Sequence, residues 1–237
     1  MEKDLARCRR VLLKLSGEAL AGKNGETFCR ESCLPILLQI GELLKRSISV
    51  AVVIGGGNVY RGRNCAFSSE TGDRMGMVAT IINGLALREF CEQLSLPCLL
   101  QSAYPIPTVG PMDSLQAKRA LTEGVVVIFC GGTGLPHFST DTAAALRAID
   151  IGADLLLKAS SVDGVYDSDP KKNPKAVRLE HISYGEAIAN GLTFMDTEAL
   201  CLLRRHGLRT VLFSMDRPGA LEDVIDGKNV GTSITVV

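Results

Sequence analysis

Short, almost uninterrupted apolar runs alternate with longer amphipathic stretches along this chain, and no other feature restricts its fold as much. Val11-Leu12-Leu13-Lys14-Leu15 is the first run. Ser49 to Ile54, Cys98 to Leu100, Val125 to Cys130, Asp154 to Leu157, Thr210 to Phe213 and Gly231 to Val237 follow. Between them, Ser32 to Arg46, Asp73 to Leu94, Asp113 to Leu121, Thr140 to Ile149 and Asp196 to His206 read as helices, with Pro35 tolerated in the first turn of the first one. Strands that are apolar on both faces have to be covered on both faces. The expectation is therefore an α/β fold of three layers, helices on either side of a mostly parallel central sheet. Val162 to Pro174 carries Asp-Gly, Asp-Pro and Asn-Pro pairs and reads as an exposed loop or small hairpin. A chain of 237 residues fits one domain, residues 1–237, with a seam between two lobes near residue 150.

Composition excludes several functions. The 26 basic and 26 acidic residues cancel, and no basic stripe of the kind that binds nucleic acid stands out. No apolar run approaches the roughly 18 residues of a membrane span. Met1-Glu2-Lys3-Asp4 leads into charged sequence instead of the apolar segment of a secretory signal. The eight cysteines (Cys8, Cys29, Cys33, Cys65, Cys91, Cys98, Cys130 and Cys201) form no CxxC pair, and they read as small buried thiols of a reducing cytoplasm. His137, His181 and His206 are too scattered for metal spacing.

Ligands of open parallel sheets bind beyond the carboxyl ends of the strands. Three of the apolar runs end there in small residues: Ser16-Gly17, Gly55-Gly56-Gly57 and Gly131-Gly132-Thr133-Gly134. Such turns let backbone N–H groups approach an anion, and a following helix adds its positive end. One loop of this kind is an ordinary tight turn; three on one chain point to a polyphosphate. Neither G-x-x-x-x-G-K-[ST] nor a helix-opening G-x-G-x-x-G occurs, so the cradle is not a P-loop or a dinucleotide fold. Lys14 breaks its apolar run just before Ser16-Gly17. A strand-end lysine alone usually snorkels to solvent, but ahead of this loop it can face an anion. Arg61, after the glycine triplet, is a second candidate cation, or else an ordinary surface arginine.

Specific segments carry a resemblance. Leu12-Leu13-Lys14-Leu15-Ser16-Gly17-Glu18-Ala19-Leu20, Val53-Ile54-Gly55-Gly56-Gly57-Asn58-Val59-Tyr60-Arg61-Gly62, Asp73-Arg74-Met75-Gly76-Met77, Gly132 to Ala144, and Val162 to Pro170 with its Asp-Gly-Val-Tyr and Asp-Pro pairs are similar, in order and spacing, to the bacterial UMP kinase family of the amino acid kinase fold. That resemblance implies transfer of the γ-phosphoryl group of ATP to UMP. It implies ATP contacts from Lys14, Leu15, Ser16, Gly17, Gly57, Arg61, Ser160, Tyr166 and Asp169. It implies UMP contacts from Gly56, Asp73, Thr133, Gly134, Leu135, Pro136, His137, Phe138, Ser139 and Thr140. Lys14 and Arg61 would be catalytic, with Asp141 and Asp196 orienting the lysine and a magnesium ion that comes with ATP. The plainer reading of Asp73 and Asp141 is helix N-capping, which favours Asp in any case. The family also implies a cytoplasmic homohexamer responding to GTP and UTP, although Ala21 to Phe28, where part of the GTP response maps in some members, looks short. Two other readings stand beside this one: another kinase of the same fold that phosphorylates a carboxyl or carbamate, and a non-catalytic sensor of uridine nucleotides.

Overall fold

The structure, a computed structural model, describes residues 8–61, 67–168, 173–216 and 218–237. Asp169 and Cys65 lie outside the described residues. In chain order the strands are β1 (Arg10–Leu15), β2 (Ser49–Ile54), β3 (Cys98–Ser102), β4 (Gly110–Pro111), β5 (Val126–Cys130), β6 (Leu155–Ser160), β7 (Val165–Tyr166), β8 (Arg178–Leu179), β9 (His181–Ser183), β10 (Arg209–Ser214) and β11 (Gly231–Thr235). The helices are α1 (Arg30–Lys45), α2 (Ser69–Gln93), α3 (Ser114–Thr122), α4 (Thr140–Ile151), α5 (Tyr184–Ala189), α6 (Thr197–His206) and α7 (Ala220–Ile225).

Among the described residues, nine strands form one sheet in the order β4-β3-β5-β2-β1-β6-β10-β11-β9. Every neighbouring pair is parallel except β10 and β11. β7 and β8 form a separate antiparallel hairpin, wider than the loop expected at Val162 to Pro174. The three-layer α/β expectation is met. Alternate residues of the strands feed two cores. Leu13, Leu15, Val52, Ile54 and Leu157 pack with α1, α2 and α7 on one face. Leu12, Ala51, Val53, Leu156 and Leu212 pack with α3 to α6 on the other. Complete burial of each large aliphatic side chain contributes about 1.5–3 kcal/mol of transfer free energy. α4 buries only Ala143, Ala144, Ala145, Ala148 and Ile151 among its apolar side chains, and such small residues let it ride close to the sheet.

Several boundaries differ from the sequence reading. α2 begins at Ser69, capped by Ser68, whose Oγ accepts the Thr71 N–H at 3.3 Å. Asp73 is therefore one turn inside the helix. α4 is capped by Ser139, whose Oγ accepts the Asp141 N–H at 2.9 Å. Capping explains neither aspartate. α1 starts at Arg30, which places Pro35 in its second turn. The seven described cysteines are free, but they are not uniformly buried: Cys29 and Cys98 are half-buried and Cys201 is exposed. Burial pushes the Cys130 and Cys33 thiols up to about 12, so these two are inert packing groups. Among the described residues no helix is long and apolar enough to cross a membrane.

Candidate active site

β5, β2, β1, β6 and β10 run in one direction, so their carboxyl ends share one edge. α2 braces two of the glycine loops there. Asn83, fully buried in α2, donates from Nδ2 to the Gly55 carbonyl at 2.6 Å and to Asn58 Oδ1 at 2.7 Å. Asn58 Nδ2 returns a bond to Asn83 Oδ1 at 3.1 Å and reaches the Thr27 carbonyl at 2.9 Å. Thr80 Oγ1 accepts the Gly131 N–H at 2.7 Å while donating to the Met77 carbonyl at 2.7 Å. Gly56 is wedged against α2: a Cβ there would lie 2.8 Å from the Gly76 carbonyl oxygen and 2.9 Å from the Ala79 Cβ. Only glycine fits.

Leu15 closes β1 as a fully buried residue, and Ser16-Gly17 leads into a single 3₁₀ turn, Gly17–Leu20. That turn presents Glu18, whose Oε1 takes an ion pair from Arg61 at 2.5 Å. Arg61 Nε also donates to the Gly57 carbonyl at 3.2 Å. Arg61 is therefore at the cleft, on the rim and paired with a carboxylate that sequence reasoning passed over.

The charged centre lies one strand further along. Lys14 on β1 and Lys158 on β6 are register partners, so both point to the face covered by α4. Asp141, in the first turn of α4, sits between them. Its Oδ1 is 3.0 Å from Lys14 Nζ, and its Oδ2 accepts a hydrogen bond from Lys158 Nζ. Burial raises the Asp141 carboxyl, but the charges of Lys14 and Lys158 outweigh it and hold the group below the usual carboxylate range. Burial lowers Lys158 to about 8 against the pull of Asp141, with Lys14 pushing the same way as burial. Asp196 is turned elsewhere: Oδ1 accepts from the Ala199 N–H at 2.7 Å and Thr142 Oγ1 at 2.8 Å, and Oδ2 accepts from Ser139 Oγ. It ties the start of α6 to the start of α4.

Of the segment from Thr133 to Thr140, Phe138, Ser139 and Thr140 line the neighbouring cleft, and Thr133 to His137 are not part of its lining. Thr133 Oγ1 accepts the Leu135 N–H at 3.1 Å and donates to the Leu135 carbonyl at 2.9 Å, closing a tight turn. Gly134 has φ 82° and His137, a non-glycine residue, φ 71°. The strained His137 is held by its N–H, which donates to Asp73 Oδ2 at 2.8 Å. Pro136 lies between Leu135 and His137; Leu135 and Phe138 stay exposed. The cleft below has a volume of about 940 Å³, and Gly56, Gly57, Arg61, Asp73, Phe138 and Thr140 line it together with Ser139. Ser160 and Tyr166 are not part of that lining. Ser160 ends β6, where its Oγ accepts the Val162 N–H at 3.3 Å, and Tyr166 on β7 donates to Asp163 at 2.8 Å. The lysine centre thus separates the cleft beyond β2 and β5 from the edge beyond β6.

Sequence reasoning missed Lys158, Glu18, Asn83 and Thr80. A signal for Lys158 was present, since it interrupts Leu155-Leu156-Leu157 as Lys14 interrupts its own apolar run. Among the described residues no three His, Cys, Asp or Glu side chains come together to hold a metal ion. Asp141 faces two ammonium groups, and the Asp196 oxygens accept hydroxyl and amide hydrogens. The described residues do not build a protein metal cage.

Known proteins are similar to this chain in sequence and fold. The profile of the amino acid kinase family matches residues 9–214. The chain is 44% identical over 232 residues to the uridylate kinase of Legionella pneumophila strain Paris, covering 95% of this chain and 93% of that one. It is 45% identical over 236 residues to the uridylate kinase of Marinobacter nauticus, covering 98% of both chains. The crystal structure of UMP kinase from Bacillus anthracis superposes with a TM-score of 0.93 at 34% identity, covering 97% of this chain and 96% of that one.

Proposed function

The chain belongs to the amino acid kinase family and, within it, to the uridylate kinases, and from that membership we propose a division of labour along its strand ends. The enzyme moves the γ-phosphoryl group of ATP to UMP, giving UDP and ADP. UMP takes the cleft between the glycine loops of β2 and β5, with its ribose on Asp73 and its uracil and phosphate under Thr133 to Thr140. ATP takes the edge beyond β6, with adenosine near Ser160, Tyr166 and Asp169 and its phosphates along Ser16, Gly17, Gly57 and Arg61. The observation that carries this reading is the Lys14–Asp141 pair standing between the two regions, at 3.0 Å.

Both partners in the reaction are phosphates, and this sets the chemistry. The second pKa of a phosphomonoester lies at roughly 6, so UMP arrives as a nucleophile that needs no general base. The barrier lies in bringing anions together and in charge on the transferring group. Lys14 meets that charge, Asp141 holds its ammonium in place, and the loop N–H groups add further donors. Arg61 leaves Glu18 for phosphate in this reading. Magnesium, arriving with ATP, would neutralise charge on the phosphates, and the described side chains build no separate cage for it.

The turn of Thr133 to Thr140 presents backbone and hydroxyl groups suited to a uracil edge, and a mispaired base would leave them unsatisfied. α2 exposes Met75, Val78 and Ile82 beside Tyr60 and Tyr104, an apolar strip that suits association of copies of this chain into a homohexamer. GTP and UTP as effectors and a cytoplasmic location complete the reading. A coupled ADP-release assay with ATP and magnesium tests it across UMP, CMP, dUMP, acetylglutamate, aspartate and carbamate. Turnover with UMP far above all others is expected. Turnover with an amino acid or carbamate would overturn the acceptor assignment, and silence on every acceptor with UMP still bound would favour a sensor.

A further inference from the structure

Lys158 is buried, and among the described residues no other lysine is. It stands directly across from Lys14 in the β1–β6 ladder, on strands that run about 4.8 Å apart in any sheet. Two ammonium groups so close repel each other. What reconciles them is Asp141, which gives one carboxylate oxygen to each lysine. Two lysines against one carboxylate leave a net charge of +1. A lone Lys14–Asp141 pair would be neutral and would offer less positive charge to a phosphate.

A fold in need of stability alone has little reason for this arrangement. Replacing buried ion pairs with apolar side chains of similar volume is often neutral or stabilising. Two residues back on the same face of the strand, Leu156 is fully buried in the apolar core beneath α4 to α6. The cost of burying a second cation is then matched to what the site does.

We propose that Lys158 is a positioning residue for phosphoryl transfer: by sharing the Asp141 carboxylate it keeps Lys14 aimed at the strand ends with its charge free for the transferring phosphates. The inference rests on the UMP kinase reading above and adds a residue to it. The groups facing Lys158 are Asp141 and Lys14, with Asp196 more remote. Loss of its proton would let Asp141 and Lys14 collapse into a neutral pair.

The test measures kcat and KM for UMP and ATP, with pH profiles, in wild type, Lys158→Met, Lys158→Gln and Lys158→Arg, each checked for folding by thermal unfolding. Folded Lys158→Met should lose kcat on the order of 10²-fold, the scale of a lost electrostatic donor, with KM for UMP little changed. Lys158→Arg should restore part of the loss. The kcat/KM profile of wild type should fall on the alkaline side near pH 8, and this limb should be missing from Lys158→Met. A folded Lys158→Met with kcat within about twofold of wild type overturns the proposal. So does a change confined to KM or to stability, or the same alkaline limb in both proteins. If Lys158→Met fails to fold, the same criteria apply to Lys158→Gln, which keeps a hydrogen-bonding group without the charge. Wild type failing to phosphorylate UMP would overturn the underlying reading instead, and it is measured first.

Discussion

Asp141 satisfies two ammonium groups with one carboxylate, and the behaviour of the whole site follows from that count. Lys14→Met should lower kcat by about 10² to 10³-fold while the protein still folds, because in the proposed arrangement it removes the cation nearest the transferring group. Steady-state turnover with UMP checks it, and a near-wild-type kcat would remove Lys14 from the mechanism. The pH dependence of stability has a definite sign at Lys158. Its folded pKa of about 8 lies below the ordinary lysine value of 10.5, so the unfolded chain binds its proton more tightly. Protonation therefore opposes folding fully below pH 8, and the penalty fades as the pH rises from 8 to 10.5. Wild type should gain stability relative to Lys158→Met across that window in urea unfolding; a flat difference would contradict the lowered pKa. Lys14 was legible in the sequence because a charge interrupted an apolar run. Lys158 carried the same mark, but its strand was expected to stop at Leu157 and continues to Ser160, so the lysine fell outside it. Asp73 and Asp141 invited a capping explanation that serines five and two residues upstream had already filled.

At the scale of elements, α2 is the frame of the cleft. Asn83→Ala would strip a buried partner from the Gly55 carbonyl and the Asn58 amide, which should cost about 1–3 kcal/mol of unfolding free energy. Gly56→Ala drives a Cβ into the α2 backbone, an overpacking that should cost about 1–3 kcal/mol and raise KM for UMP. Denaturant unfolding with steady-state kinetics reads both effects. Long periodic helices and apolar strands were legible from pattern alone. The short elements were not. α5 spans six residues, and its capping box at Ser183 and Glu186 was the only local sign of it. β9 and β4 have three and two residues, too few to show a period. α2 was begun late because its first turn, Ser69-Glu70-Thr71-Gly72, is polar and carries a glycine.

The whole molecule hangs on β1, which pairs with β2 on one side and β6 on the other and so joins the strands before and after residue 150 into one sheet. That topology sets the proposed acceptor region, the lysine centre and the proposed donor region side by side, an order no linear motif states. Outside, the α2 strip is the face proposed for association. Val78→Asp with Ile82→Asp should shift sedimentation to smaller species with secondary structure retained, whereas an unchanged sedimentation coefficient would release this face from assembly. The central claim, that this strand edge carries a phosphoryl group from ATP to UMP, is tested most directly by following the label from ATP marked in its γ-phosphoryl group. Wild type with UMP should place the label in UDP, and Lys14→Met should do so on the order of 10² to 10³-fold more slowly. Label that stays in ATP, or passes to water at the same rate with and without UMP, would contradict it.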